Sequence, residues 1–326
     1  MQIKKNRILE EIRAIIIIVI IVLTIKVTLV EAYIVPTGSM ENTIMTGDFL
    51  IGSRFAYGMR TPDWIGIPYT DIGFSVPYIK FPVFKIPEKN DILIFKYPRD
   101  KYVKYVKRCL AGPGDTLLVD AKNVYVNRKK VHLNENGKLL TPVMPRSYQQ
   151  PDIFLSSETN INKDNTGPIY IPKQGDTFPI HDETNWRFLL PLMMMEGHKA
   201  KLINDEVTFD FTLQDPNDIY RRKGKKSVYE QYFPNGSLIT PWSRAIKDEH
   251  FQYLFIDGIP VSDWSEFTTM QNYYWAMGDN RDDSLDSRDW GYVPENNILG
   301  EAIFVYFSLN LNTWSPRWGR IGTLIQ

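Results

Sequence analysis

A nearly uninterrupted apolar run close to the N-terminus restricts the fold of this chain more than any other feature. The segment from Ala14 to Val30 contains 13 Ile, Val or Leu residues and a single charge, Lys26. Each such apolar residue contributes about −0.3 to −0.6 kcal/mol to membrane insertion, whereas a lysine at a helix centre costs roughly 2.5 to 3.5 kcal/mol. Because Lys26 lies near one end of the run, its side chain can reach the interface. The run therefore predicts one transmembrane helix.

The charges around this run predict its orientation. Four basic residues precede or begin it, namely Lys4, Lys5, Arg7 and Arg13. Since positive charge concentrates on the cytoplasmic side of membrane helices, residues 1–35 are interpreted as a cytoplasmic N-terminus plus anchor, with the remainder outside. Two alternatives stay open: a cleaved signal peptide, with Ala32 near its cleavage site, and a buried helix of a soluble protein.

The remainder of the chain has the pattern of short β-strands. β-Branched and aromatic residues bounded by Pro, Gly and Asp dominate Asp91–Pro98, Tyr102–Leu110 and Asp115–Asn127. No amphipathic helix beyond the anchor is predicted. The sequence thus indicates a mostly β protein with one N-terminal transmembrane helix.

The polarity of the chain divides this β region in two. Residues 121–271 are more polar and richer in loop-forming residues than the segments on either side. We interpret 121–271 as an inserted second β domain, and 36–120 together with 272–326 as the main β domain.

The segment from Phe55 to Pro87 combines many aromatic residues and prolines with few charges. An exposed surface of this kind suits the membrane interface, where aromatic rings are favoured. An ordinary loop packed on the core would have the same composition, so both interpretations stay open.

Composition excludes several classes of function. Lys plus Arg and Asp plus Glu both number 38, so the chain lacks the basic excess of a nucleic-acid binder. The single cysteine, Cys109, excludes an intramolecular disulfide and a cysteine-rich zinc site. The four histidines lack metal-ligand spacing: His132, His181, His198 and His250. We expect no metal, no other cofactor and no nucleic-acid partner.

Three short segments carry the residue types of a hydrolytic site. They are PTGSMENTIMTGDFL (Pro36–Leu50), YVKRCLAGPGD (Tyr105–Asp115) and GDNRDDSLDSR (Gly278–Arg288). A serine hydroxyl is a poor nucleophile and needs a base within hydrogen-bond reach. A lysine serves only if burial lowers its pKa from ~10.4 to about 7–8. Lys107 lies in an apolar and aromatic strand pattern that favours such burial.

The acidic third segment has a second interpretation, as a calcium-binding loop. An EF-hand loop would need glycine at its sixth position and glutamate at its twelfth, where this chain has Ser284 and Trp290; its third position is Arg281. A loop held in shape by Asp/Arg pairs remains compatible with a catalytic role.

Together, in this order behind an apolar helix, the three segments resemble those of bacterial type I signal peptidases, the Ser/Lys-dyad leader peptidase family. The match extends to Phe55–Gly58, Asp91–Pro98 and Trp290–Gly300, and does not cover the central insertion. The resemblance implies a serine endopeptidase that removes N-terminal signal peptides from exported preproteins after small-x-small sites. It also implies a single-pass protein of the cell (inner) membrane, with its catalytic domain on the outer side, near the protein-export machinery.

The resemblance further implies roles for individual residues. Ser39 corresponds to the nucleophile and Lys107 to the general base, while the Thr37 hydroxyl and the Ser39 amide correspond to the oxyanion hole. The positions that orient the lysine and hold its loop are Ser284, Asp286, Arg288, Asp279 and Arg281. The positions that line the substrate pocket are Val35, Pro36, Met40, Ile44, Tyr105 and Val106.

Two other functions remain as alternatives. The first is a Ser/Lys peptidase dedicated to a specialised secretion or transfer system, which substrate breadth would distinguish. The second is a membrane-tethered binding module that keeps the fold without catalysis. The presence of Ser39, Lys107 and Ser284 favours an enzyme over the binding module.

Overall fold

The computed structural model describes residues 10–18, 21, 30–58, 61, 64–66, 73–77, 79, 81–82, 85–150, 153–154, 161–204, 208–214, 237–243 and 246–326. The strands are β1 Val30–Ile34, β2 Asp48–Ser53, β3 Trp64–Gly66, β4 Gly73–Ser75, β5 Ile92–Tyr97, β6 Asp100–Ala111, β7 Thr116–Asp120, β8 Asn123–Val126, β9 Lys129–Val131, β10 Thr166–Tyr170, β11 Thr177–Pro179, β12 Ala200–Ile203, β13 Thr208–Phe211, β14 Ser237–Ile239, β15 Leu254–Ile256, β16 Ile259–Pro260, β17 Glu266–Thr268, β18 Tyr273–Met277, β19 Val293–Pro294, β20 Ile298–Asn310 and β21 Ser315–Pro316. Besides the helical residues 10–18 and 21, the α-helices of the described residues are α1 Trp186–Met195 and α2 Ser287–Trp290, with 3₁₀ turns at Asp248–Tyr253, Val261–Asp263, Glu295–Asn297 and Trp318–Arg320.

The predicted membrane segment falls largely outside this description. Residues 10–18 and 21 are helical, whereas 19–20 and 22–29 lie outside the described residues. Within the described ranges, no helix is both long enough and apolar enough to span a bilayer.

The aromatic segment between residues 55 and 87 is also described only in part. Among its described residues, Phe74, Ile79 and Ile86 expose more than 60% of their surface, at 61%, 66% and 65%. These side chains lie on the surface, whereas Tyr57 is buried in the apolar cluster of Leu93 and Phe95. Contact of the segment with a membrane stays a prediction.

The main sheet contains eight strands and confirms the prediction of a mostly β protein. Its order is β1-β2-β20-β5-β6-β18-β19, with β21 paired to β20. All of its neighbouring strands are antiparallel. The centre of β5, from Ile92 to Phe95, is buried without alternation. A strand that is covered on both faces has such a continuous apolar sequence, because every side chain is buried.

Two apolar clusters cover the two faces of the main sheet around β5. Ile92 and Ile94 belong to one cluster, whereas Leu93 and Phe95 belong to the other. This alternation follows from the period of two residues in a strand. The first cluster also holds Met40 from the turn after β1, so the fold places that turn against the sheet.

The region between β6 and β18 forms further small sheets. β7, β8, β9 and β10 make a four-stranded sheet in the order β10-β7-β8-β9, and β12 to β16 make a five-stranded sheet. The β7–β8 hairpin turns at Ala121 and Lys122, both with positive φ (46° and 66°), as tight hairpin turns require. The predicted boundary at residues 120/121 falls within this turn, and the division into domains stays a prediction.

Helix α1 was not predicted from the sequence, in which no amphipathic helix beyond the anchor was recognised. The Asn185 side chain caps its N-terminus by accepting a hydrogen bond from the Phe188 amide at 3.2 Å. Most of its ten residues are buried, so the sequence WRFLLPLMMM shows no polar face from which a helical period could be recognised. Pro191 inside the helix further obscured it, because proline disfavours helix interiors.

Candidate active site

Ser39 lies in a short helical turn between β1 and β2. The Glu41 amide donates to the Gly38 carbonyl at 2.9 Å, and the Ile44 amide donates to the Met40 carbonyl at 2.7 Å. Met40 and Ile44 are buried, with 1% and 0% of their surfaces exposed, and they fix the turn to the sheet. The turn that carries the Ser39 hydroxyl is therefore fixed in position against the sheet.

Lys107 lies on β6 opposite Leu93 of β5, and only 1% of its surface is exposed. A hydrogen bond joins its Nζ to the Ser39 Oγ. The same Nζ lies 5.3 Å from the centroid of the Tyr105 ring, two residues earlier on the same strand face. The fold thus brings together the serine and the lysine that the sequence singled out.

Burial changes the acid–base properties of Lys107. Loss of hydration lowers the pKa of this amine from 10.5 to about 8. The Asp286 and Asp289 carboxylates oppose this shift, the Arg288 guanidinium adds to it, and Asp279 opposes it more weakly. Desolvation prevails, because a charged amine without water around it is costly. About a tenth of Lys107 is therefore neutral at about pH 7 and can accept a proton, far more than for a lysine with an ordinary pKa.

The loop from Gly278 to Ser284 packs directly against the residue of the nucleophile. The Asn280 amide donates to the Ser39 carbonyl at 3.0 Å, and the Asn280 Nδ2 donates to the Gly38 carbonyl at 3.2 Å. A Cβ atom on Gly278 would lie 2.5 Å or less from both the Ser39 carbonyl oxygen and the Ser284 Oγ. Only glycine permits this approach. Sequence reasoning assigned no role to Gly278 or Asn280, although both lie within the third segment.

Ser284 is buried at the end of this loop, with 4% of its surface exposed. Its hydroxyl has no hydrogen-bond partner in good geometry among the described residues. It nevertheless lies near enough to Asp286 to help hold the pKa of that carboxyl down. Buried hydroxyls normally have a hydrogen-bond partner, so this one is an exception, and the orienting role of Ser284 stays a prediction.

Asp286 and Arg288 form a buried pair that shapes the loop. The Arg288 Nε and one terminal nitrogen donate to the two Asp286 oxygens at 2.9 and 2.8 Å, and the Gly278 amide donates to Asp286 at 3.1 Å. Burial favours the neutral acid, but the Arg288 charge and these hydrogen bonds keep the Asp286 pKa well below its ordinary value. Arg288 also donates to the Arg281 carbonyl at 2.5 Å.

Asp279 pairs with Arg108, a residue outside the third segment. It accepts two hydrogen bonds from the buried guanidinium of Arg108, at 2.8 and 2.7 Å, and one from the Thr43 hydroxyl at 2.6 Å. Arg281 instead donates to the Gly278 carbonyl at 3.1 Å. The pair joins β6, the turn of Ser39 and the loop after β18, and Arg108 was recognisable in sequence only as the neighbour of Lys107.

The residues predicted to contact substrate occupy different surroundings. Thr37 and Pro36 are exposed at the start of the Ser39 turn. Four pocket residues share or contact one apolar cluster, namely Val35, Met40, Ile44 and Val106, whereas Tyr105 packs against the other. A Cβ atom on Gly38 would have the Thr46 Oγ1 as its nearest neighbour, at 3.9 Å. Packing within the protein therefore leaves room at this position.

The described part of the chain contains no group of His, Cys, Asp or Glu side chains arranged to hold a metal ion. The site therefore consists of a buried amine, a serine hydroxyl and a loop fixed by ion pairs. A serine hydroxyl bonded to a buried lysine on a β-sheet is the arrangement of a serine peptidase that uses lysine in place of histidine.

Comparison with known proteins identifies the family. The model of the family described as "Signal peptidase, peptidase S26" matches residues 8–184 and 225–307, so the chain belongs to this family. The chain is 28% identical to "Signal peptidase I" of Buchnera aphidicola subsp. Schizaphis graminum over 319 residues, covering 93% of this chain and 78% of that protein. It is 29% identical to the protein of the same name from Buchnera aphidicola subsp. Baizongia pistaciae, covering 90% and 74%. "Signal peptidase I" of Rickettsia bellii is 24% identical, covering 97% and 79%.

These matches confirm the recognition that the sequence motifs suggested. The protein is a serine endopeptidase of the type I signal peptidase family, which acts on the signal peptides of exported preproteins and is membrane-associated in general.

Proposed function

We propose that Ser39 is the nucleophile of this signal peptidase and that neutral Lys107 is its general base. The observation that carries the proposal is the hydrogen bond between the Ser39 hydroxyl and a lysine with 1% of its surface exposed. The lowered pKa of Lys107, about 8, supports it, since a base must be partly unprotonated at the working pH.

In the proposed reaction, Lys107 takes the proton of Ser39 while the Oγ attacks the scissile carbonyl carbon. The Ser39 amide and the exposed Thr37 hydroxyl stabilise the oxyanion, and loss of one such donor costs about 3–4 kcal/mol. Lys107 then protonates the leaving amine, which releases the mature protein. Water deprotonated by Lys107 finally attacks the acyl-enzyme and frees the signal peptide.

The loop after β18 keeps this pair aligned. We assign Ser284 to orient the Lys107 amine, and the Asp286–Arg288 and Asp279–Arg108 pairs to hold the loop against the Ser39 turn. Support comes from the contacts of Gly278, which lies against both the Ser39 carbonyl and the Ser284 hydroxyl. Arg281 supports the same loop through the Gly278 carbonyl.

The proposed substrates are preproteins with small residues at the first and third positions before the cut. Gly38 leaves open space beside the nucleophile, as close approach of a substrate backbone requires. The residues proposed to line the pockets are Val35, Pro36, Met40, Ile44, Tyr105 and Val106.

The proposed topology places a single membrane helix within residues 1–35, with a cytoplasmic N-terminus. The site follows within four residues of Val35, so the catalytic domain would meet its substrate at the outer face of the cell membrane. Residues 36–120 and 272–326 would form that domain together with β1 (Val30–Ile34), which pairs with β2 and so leaves only the residues before Val30 for the membrane helix. Residues 121–271 would form an insertion, and the enzyme would work close to the export machinery.

The test is cleavage of a model preprotein by the detergent-solubilised full chain, with the cut site mapped by mass spectrometry. Wild type should cut after a small-x-small sequence, and Ser39→Ala and Lys107→Ala should each lose cleavage while remaining folded. Substantial cleavage by purified Ser39→Ala would rule out the assignment. Folded wild type that cuts a single dedicated substrate, and no general preprotein, would favour the specialised peptidase.

A further inference from the structure

Lys163 lies between β9 and β10, in a region for which the sequence motifs assign no role to any residue. Its Nζ lies 2.8 Å from an Asp289 carboxylate oxygen and 3.1 Å from the Ser284 carbonyl oxygen. The two charged side chains are largely buried, with exposed fractions of 18% for Lys163 and 9% for Asp289. One amine from the predicted insertion thus holds two points of the loop that carries Ser284.

Asp289 connects Lys163 to Asp286, which lies in the loop of the active site. Its other carboxylate oxygen accepts the Asp286 amide at 2.8 Å, and its own amide donates to the Asp286 carbonyl at 2.7 Å. Asp286 in turn accepts the Gly278 amide at 3.1 Å. The contacts therefore run without a break from Lys163 to the glycine that packs against Ser39.

The loop that carries Lys163 is itself firmly held. The Asn162 side chain is fully buried and donates to the Pro145 and Tyr148 carbonyls at 3.0 and 2.9 Å. The Lys163 amide donates to the Gln150 side chain at 3.1 Å. A lysine delivered from a loop with this many internal hydrogen bonds has a defined position, unlike one on a solvated surface.

We propose that Lys163 is a positioning residue of the active site, which fixes the turn of Ser284 by binding the Ser284 carbonyl and the Asp289 carboxylate. The inference rests on the proposed function, because it presupposes Lys107 as the base. Lys163 bonds neither Ser39 nor Lys107 and acts through the loop. The charged groups that face Lys107 are Asp286, Asp289, Asp279 and Arg288.

Lys163→Met should lower kcat about ten- to a hundredfold, because small displacements of aligned groups have effects of this size. KM should stay within about twofold, since Lys163 is proposed to act on the alignment of the catalytic groups and not on substrate binding. Lys163→Arg should recover most of the lost kcat, because a guanidinium can donate to both oxygens. Lys201→Met is the matched control, since its pair with Asp210 is exposed by 54% and 40%; it should change neither constant.

A second variant tests the same chain of contacts without removing Lys163. Asp289→Asn keeps the shape of the side chain but removes a negative charge that favours protonated Lys107. The pH below which kcat falls should therefore move to a lower value. Lys163→Met should also have a smaller effect on kcat in the Asp289→Asn background than in wild type, because its charged partner is gone.

Unchanged kcat and KM in folded Lys163→Met would overturn the inference, as would a raised KM with unchanged kcat. The inference would also be contradicted if Lys163→Met lowered kcat by the same factor in the wild-type and Asp289→Asn backgrounds. Ser39→Ala and Lys107→Ala belong in the same assay. If both are inactive while Lys163→Met equals wild type, the positioning role alone fails; if either cleaves, the proposed function fails.

Discussion

Lys107 is a charged residue type that is buried on a strand of the main sheet, where its amine has lost its water and hydrogen-bonds Ser39. Its amine is nearly free of solvent and has three carboxylates nearby, yet desolvation dominates and lowers its pKa to about 8. The side chain is thereby prepared to accept a proton at a pH at which ordinary lysines remain charged.

The first prediction concerns the dependence of cleavage on pH. Because the neutral amine is the active form, kcat/KM should rise with pH and level off above about 8, falling about tenfold per pH unit below it. The depressed pKa of Asp286 means that this carboxyl stays ionised across the same range. The measurement is kcat/KM for a peptide substrate at pH values from about 5 to about 10, spaced by about half a pH unit. A flat profile across pH 7 to 9 (roughly the range around this pKa) would contradict the role of Lys107.

The second prediction concerns the stability of the fold. The unfolded chain binds the Lys107 proton more tightly than the folded chain, so this residue lowers stability below pH 8 and ceases to do so as pH rises above 10.5. Lys107→Met should therefore increase the free energy of unfolding by about 1 to 3 kcal/mol at neutral pH, after allowance for the lost bond to Ser39. Chemical denaturation at neutral and at high pH measures this difference. A destabilised variant at neutral pH would contradict the argument.

The loop from Gly278 to Arg288 is the element on which the site depends most. Lysines from the predicted insertion contact it at two places, Lys163 near Ser284 and Lys122 at Asp282. The Lys122 Nζ lies 2.5 Å from an Asp282 oxygen and donates to the Thr141 carbonyl at 2.7 Å. The loop is therefore fixed from its outer side as well as by its own ion pairs.

The third prediction follows from the Lys122 contact. Lys122→Met should destabilise the protein by roughly 1 to 3 kcal/mol, because it leaves the Asp282 carboxylate without its buried counter-charge. Lys201→Met, which removes an exposed pair, should change stability by less than about 1 kcal/mol. Thermal unfolding of the two variants side by side measures the contrast. Equal effects would show that Lys122 is no more important than a surface charge.

Strands and motifs could be predicted from sequence to different degrees. The strands around Lys107 were recognisable because apolar, β-branched residues repeat with period two or in buried runs. The family resemblance carried by the three motifs implied that Ser39 and Lys107 meet, and the structure places them in contact. Helix α1 was not predictable, because WRFLLPLMMM is apolar on all sides and contains Pro191.

Contacts between distant segments were the least predictable part of the site. Arg108 was visible only as the residue after Lys107, and nothing in its local pattern indicates a pairing with Asp279, 171 positions away. The same holds for Lys163 and Asp289. Such pairs depend on how elements are arranged in three dimensions, and local propensity carries no information about that.

At the scale of the whole molecule, one apolar core joins the main sheet to the region interpreted as an insertion. The largest buried cluster contains Leu110 and Trp275 from the main sheet together with Leu190 from α1. The Phe188 and Tyr292 rings make an edge contact with centroids 5.8 Å apart. We expect the two regions to unfold together, because the largest buried cluster is shared between them.

The fourth prediction tests this shared core. Leu190→Ala removes a side chain with none of its surface exposed and should destabilise the protein by about 2 to 5 kcal/mol. Loss of activity and loss of tertiary structure should shift to lower temperature together. The measurement pairs residual cleavage with near-ultraviolet circular dichroism after heating. Activity that survives after the region around α1 has unfolded would show two independent domains.

The central claim is that Ser39 is acylated with Lys107 as the base, and covalent labelling tests it most directly. The full chain is treated with a serine-acylating electrophile at about pH 8, near the pKa proposed for the base, and the adduct is mapped by mass spectrometry. The account predicts one adduct, on Ser39, that forms in wild type and is absent from Ser39→Ala and Lys107→Ala. An adduct on another residue, or labelling of Lys107→Ala at the wild-type rate, would contradict it.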